Sequence, residues 1–210
     1  MPFWNRRYYL LCMVMMGASS CFTPVNTSFE RAASLEKDEI ELGGSLSSNY
    51  VSVQDRFGAT NLGLRSGYGL NHWLDLKLNY RLLLNDDENL SIQYFSFYPK
   101  TTFIPNTLAF SPEIGLYLFG GGGGSEGTFV FSPRLNYSAA LSETVELSLS
   151  SKLDFFLDGN TDVLWGFNMG WAIDTSKGSK SIRPEIGLLV LPGQQPALFT
   201  FGLAYVRILE

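Results

Sequence analysis

The sequence predicts an all-β protein: a single antiparallel up-and-down transmembrane β-barrel of about ten strands, with eight as the alternative count. A cleaved signal peptide and a short tether precede it. Three observations carry this. From Ile40 onward apolar residues recur with a period of two rather than 3.6. The alternating runs reach the roughly 9–11 residues that a tilted strand needs to cross a bilayer, whereas strands of soluble proteins centre on about 5–6. Clusters of Gly, Pro, Asn and Asp punctuate the runs.

The N-terminal part, 1–20, reads as an export signal. Arg6 and Arg7 form a positive start, Tyr8 to Met16 a short apolar stretch, and Gly17 to Ser20 a small-residue cleavage region. Ala18-Ser19-Ser20-Cys21 resembles a bacterial lipobox, in which the cysteine becomes the first mature residue and carries lipid, palmitate among its acyl chains. Cys12 leaves with the signal, so Cys21 is then the single cysteine of the mature chain and has no internal disulfide partner. Cys21 is the expected lipidation site, and 21–39 a lipid-anchored tether. Thr27 and Glu30 have the spacing of a capping box, which predicts a short helix through 29–35. Asn26-Thr27-Ser28 matches a glycosylation sequon and is read as chance.

The barrel is assigned to 40–210, with strands at 40–53, 60–70, 73–84, 90–98, 107–119, 128–141, 145–157, 163–174, 182–191 and 197–208. The third run shows the logic. Leu74, Leu76, Leu78, Tyr80 and Leu82 share one face, and Asp75, Lys77, Asn79 and Arg81 the other; a helix would scatter these charges all round. The apolar face is bulky, whereas the polar face is rich in Gly, Ser and Asn. Small residues suit the crowded inside of a small barrel, so the polar face is expected inward. At 17% charged residues the chain is also poor in the Lys and Glu that coat a soluble exterior. Tyr50, Tyr68, Trp73, Tyr94, Tyr98, Phe129, Tyr137, Trp165, Trp171 and Tyr205 fall near strand ends, as in interfacial girdles.

Composition narrows the function classes. With 45% hydrophobic and 14% aromatic residues in 210, disorder is excluded. Two cysteines exclude a disulfide or metal-thiolate framework. Signal cleavage removes two arginines and no acids, taking the net charge from −5 to −7, which disfavours nucleic acid as a partner. No cofactor or metal is implied. The glycine run at 120–127 lacks the strand–loop–helix context of a phosphate loop.

The signal, the lipobox and the even number of amphipathic strands together resemble a Gram-negative outer-membrane β-barrel. Gly67 to Leu76 and Ala140 to Leu147 look like the short periplasmic hairpins of that class. The resemblance implies a location in the outer membrane, outer-membrane lipid as partner, and both barrel termini in the periplasm. Such barrels usually end on an aromatic residue; this sequence ends Arg207-Ile208-Leu209-Glu210.

Chemistry is then confined to the lumen. The expected lumen charges are Arg65, Asp75, Lys77, Arg81, Glu113, Arg134, Lys152, Asp154 and Glu185, joined by Glu41, Glu146 and Arg183. Ser111-Pro112-Glu113, Ser132-Pro133-Arg134 and Arg183-Pro184-Glu185 repeat an outward proline followed by an inward charge, at bulged or frayed positions. Pairing about the centre of the 120–127 loop sets Glu113 directly opposite Arg134 as an ion pair. The signs nearly balance, so the expected function is a structural barrel or a narrow porin-like polar channel for small polar solutes, and not an enzyme. Two alternatives stay open. One is a soluble lipocalin-like periplasmic barrel with the apolar face inward around a hydrophobic ligand. The other is an outer-leaflet lipid-modifying enzyme using His72, the sole histidine. A closed barrel resists detergent until heated: the native protein should migrate faster on a gel unboiled than boiled, and equal migration would count against closure.

Overall fold

The computed structural model describes residues 26–51, 56–84, 91–120, 126–157, 163–175, 179–190 and 198–209. The signal at 1–20, Cys21, and most of the glycine run lie outside these. Ten strands form: β1 (Ile40–Val51), β2 (Arg56–Asn71), β3 (Leu74–Leu84), β4 (Ser91–Ile104), β5 (Leu108–Gly120), β6 (Glu126–Ala140), β7 (Val145–Phe156), β8 (Val163–Asp174), β9 (Lys180–Val190) and β10 (Leu198–Leu209). Each pairs antiparallel with its sequence neighbours. β1 closes on β10, from Ile40↔Leu209 to Val51↔Leu198. All ten strands join the barrel, which excludes the count of eight. Closure leaves no sheet edge, so the ladders consume strand N–H and C=O groups on both sides.

The apolar face points outward. Leu78 is 57% exposed while its neighbour Lys77 is 1% exposed. Leu64, Phe97, Ile114, Phe129 and Phe201 are likewise exposed. A lipocalin-like interior lined by these residues is therefore overturned. Tyr68, Trp73, Phe129, Tyr137, Trp165 and Tyr205 are exposed on the outside. Tyr94 and Tyr98, expected in the same girdle, instead point inward and are buried. Their strand reads Tyr94-Phe95-Ser96-Phe97-Tyr98, aromatic on both faces, so alternation alone cannot orient it. Pairing with β3 does, by setting Tyr98 against Lys77 and Phe97 against Leu78.

The prolines act as expected of residues without an N–H. The β4–β5 ladder is interrupted between Phe97↔Ile114 and Thr101↔Phe110, across Pro99 and Pro112. The β6–β7 ladder skips Pro133, and β8–β9 skips Pro184. In each case pairing resumes without a register change, so these are frayed positions and not bulges. Each proline keeps its place opposite the other neighbour, as Pro112↔Pro133 does.

The connections at 72–73, 105–107, 141–144 and 175–179 share one end of the barrel with Ile40 and Leu209. This is the turn end. The connections 52–55, 85–90, 121–125, 157–162 and 191–197 share the other, the loop end.

The largest departure from expectation is the segment before β1. Residues 26–39 form no helix at 29–35 and do not hang outside the barrel. They enter at the turn end, where the Asp38 amide donates to the Gly69 carbonyl at 2.9 Å, and run up the lumen as irregular chain with bends at 32–33. Asn26 lies near the loop end, where Asn168 donates to its carbonyl at 2.8 Å. A helix would satisfy its own peptide groups; here the wall supplies partners one group at a time. In a bilayer, Leu78→Arg would put a charge on the lipid face and lower stability by about 2–4 kcal/mol. Urea unfolding of folded barrels in lipid vesicles measures this; an unchanged midpoint would mean that this face does not meet hydrocarbon.

Candidate functional site

The lumen is the site, and its wall is made for a guest. Small residues make the space. A Cβ at Gly202 would lie 2.5 Å from the Phe29 ring, and one at Gly69 would overlap the Glu36 carbonyl. Phe29 packs against Ala204 and Val206.

Much of the grip on 26–39 is through its backbone. Glu185 accepts from the amides of Ser28 and Phe29, each at 2.6 Å, and from the Ser28 hydroxyl at 3.1 Å. Arg65 and Arg183 both donate to the Phe29 carbonyl, at 2.8 and 2.9 Å. Arg81 donates to the Thr27 carbonyl at 2.5 Å and to the Thr27 hydroxyl. Lys100 donates to the Ala33 carbonyl at 2.5 Å. Ala32 N–H reaches Ser138 at 2.9 Å and Leu35 N–H reaches Asp75 at 3.0 Å. Phe29 has a φ of 52°, a left-handed conformation that a bulky residue holds only when its surroundings impose it. The bonds to its amide and carbonyl and the packing of its ring do so.

The charged wall divides into two groups. In the first, Glu41 is the hub. It pairs with Arg65 at 2.8 Å, Lys77 at 3.1 Å and Arg183 at 3.4 Å, while Asp75 pairs with Lys100 at 2.9 Å. The guest adds Glu30, which pairs with Arg65 and accepts from Tyr98 at 2.6 Å. It also adds Arg31, paired with Glu146 at 2.5 Å and Asp174 at 3.3 Å. In the second group Glu113 pairs with Arg134 at 2.7 Å and accepts from Tyr94 at 2.7 Å. Lys152 pairs with Asp154 at 2.8 Å, and Ser132 donates to Asp154 at 2.6 Å.

Glu113 and Arg134 do not sit directly opposite. The register sets Ser111 against Arg134 and Glu113 against Ser132, two residues away from pairing about the loop centre. A slip of two keeps every side chain on its face, and long side chains span the diagonal.

Several partners were missed. Lys100 follows Pro99, repeating the outward-proline, inward-charge pattern of the other three sites, so the signal was present in the sequence. Glu30, Arg31 and Asp174 carried no such signal, because nothing local says that the tether turns into the barrel. His72 is exposed in the turn between β2 and β3.

Toward the loop end, one side of the lumen is filled by the wall itself: Leu83, Ile92, Tyr94, Tyr117 and Val130 form a buried apolar cluster. With 26–39 on the other side, inward side chains such as Tyr98, Asp75, Glu113 and Thr200 are buried. Two apolar grooves of about 510 and 880 Å³ run between outward side chains of the exterior, such as Phe167 and Phe201 in one and Leu78 and Phe97 in the other.

The fold and site define a closed ten-stranded barrel with an apolar exterior and a charged, self-filled lumen. No protein-family model and no curated protein matches the chain. Among solved structures it is similar to an outer membrane channel from Pseudomonas putida F1, with 11% identity and a TM-score of 0.48 over 89% of this chain and 100% of that one. It is also similar to the translocator domain of the autotransporter NalP from Neisseria meningitidis, with 9% identity and a TM-score of 0.45 over 96% and 94%. A third is the N-terminal β-barrel domain of Pseudomonas aeruginosa OprF, with 10% identity and a TM-score of 0.37 over 83% and 100%.

Removing one partner of a buried pair strands the other. Arg134→Ala or Glu113→Ala should each cost about 3–5 kcal/mol. The double variant Glu113→Leu/Arg134→Met should cost less than the two single losses together, as a double-mutant cycle by urea unfolding would report. Strict additivity would mean that the two are not coupled.

Proposed function

We propose that the protein is a lipid-anchored β-barrel of a Gram-negative outer membrane, and that 26–39 is the gate of a narrow polar channel through it. The observation that carries this is the occupant of the lumen. The wall is polar and charged, and the segment that closes it, joined to β1 at Ile40, is held inside by hydrogen bonds, ion pairs and the packing of Phe29 and not by a strand ladder. Such a segment can leave as a unit and return. The apolar exterior with its aromatic fringe supports a lipid environment, and the export signal with its lipobox supports the envelope.

In this reading the turn end faces the periplasm, with Ile40 and Leu209. The gate then runs from Glu39 on the periplasmic side to Asn26 near the outer side.

Phe29 is 3% exposed and packs on the wall without contributing charge. Truncating a buried Phe to Ala costs about 3–5 kcal/mol, here taken mostly from the seated gate. Full-length Phe29→Ala in a planar bilayer should therefore open at least ten times as often as the wild type. If both stay silent at all voltages, the channel reading fails and a structural barrel remains.

A further inference from the structure

We infer that the Glu30 carboxylate occupies an anion-binding site of the lumen wall, and that the open channel uses this site to select small monocarboxylate anions. This rests on the channel reading and names its solute.

The position of Glu30 is built for a carboxylate and not merely tolerant of one. Arg65 and the Tyr98 hydroxyl both reach Oε1. All three residues are buried, Tyr98 completely. The Arg134 guanidinium lies over the Tyr98 ring, 5.9 Å from its centroid. It uses Nη2 on Glu113, while its Nε and Nη1 have no hydrogen-bond partner despite being buried. A buried guanidinium with two idle donors beside a carboxylate site points to an anion as ligand.

The charge around this site favours the same solute. Among the described residues the wall as a whole is balanced, with Arg65, Lys77, Arg81, Lys100, Arg134, Lys152 and Arg183 against Glu41, Asp75, Glu113, Glu146, Asp154, Asp174 and Glu185, but the charged groups with open donors at the Glu30 position are cationic, Arg65 and Arg134. The gate supplies Arg65 with Glu30, and supplies Arg81, Arg65, Arg183 and Lys100 with the carbonyls of Thr27, Phe29 and Ala33. When it leaves, Arg81 loses the Thr27 oxygens and Arg65 loses Glu30. Glu146 and Asp174, freed from Arg31, lie toward the turn end of β7 and β8 and not at the centre. At this position the donors left open, on Arg65 and Arg134, are cationic, and a constriction that presents one sign selects the opposite charge. A monocarboxylate the length of the Glu side chain can take the two bonds that Glu30 makes now.

The test uses full-length Phe29→Ala and Phe29→Ala/Glu30→Gln in planar bilayers under a potassium chloride gradient, with propionate as the probe. The expected reversal potential shows chloride favoured over potassium several-fold in the double variant. Millimolar propionate should reduce its chloride current by at least half, and less so in Phe29→Ala, where Glu30 still competes. Adding Arg65→Gln should abolish the propionate effect. A cation preference, or indifference to propionate, overturns the inference while leaving the gate in place. If no variant opens, the gate fails. The site is then decided by titrating the Glu30→Gln protein in micelles with 13C-labelled propionate: saturable binding lost with Arg65→Gln supports it, and no binding overturns it.

Discussion

The closure of β1 on β10 is the constraint from which the remaining structure follows. A sheet whose outer face is apolar has nowhere to put an unpaired edge, and a closed ladder removes the edge altogether. Once the barrel is closed, side-chain alternation sends every second residue inward. The outer set is free to be bulky and apolar. The inner set must then fill a space of fixed width and leave no charge without a partner, because an isolated charge at low dielectric is expensive.

The lumen meets this second demand in two ways. Part of the wall completes itself, through Glu113 with Arg134 and Lys152 with Asp154. Another part is completed only by the N-terminal segment. Glu185 on the wall has its oxygens on the amides of Ser28 and Phe29, and Arg81 binds only Thr27 among the hydrogen bonds described. These are bonds to backbone and to short polar side chains, strong in sum yet individually exchangeable with water or solute. A wall that is complete only when its guest is seated couples the stability of the barrel to the seating of 26–39.

The proline positions show how local chemistry is spent on this arrangement. Pro99, Pro112, Pro133 and Pro184 each forgo a ladder bond on one side without shifting register. Each precedes an inward charge: Lys100, Glu113, Arg134 or Glu185. The ladder is thus broken on one side where these charged side chains enter the lumen, while the intact neighbour ladder keeps the strand in place.

The sequence by itself determined the number of strands to within the choice between eight and ten, the ends of most strands within a few residues, and which face of β2, β3 and β7 turns inward. Period-two alternation is a local property, and in those strands the two faces differ in chemistry. For the same reason it pointed to charges such as Lys77 and Arg81 as inward, but not to Lys100 or Asp174. Only the tertiary structure decided the faces of β4, where Tyr94 and Phe95 are equally aromatic and cross-strand pairing breaks the tie. It also decided the β5–β6 register, since a slip of two leaves every residue on its own face and no local pattern opposes it. Above all it decided the place of 26–39. A stretch reading Asn-Thr-Ser-Phe-Glu-Arg is compatible with a tether, a capped helix or a plug, and local propensity separates them by little. What fixes it is a ring of wall groups from β2, β3, β4, β6, β7, β8, β9 and β10, which come together only once the barrel has closed around them.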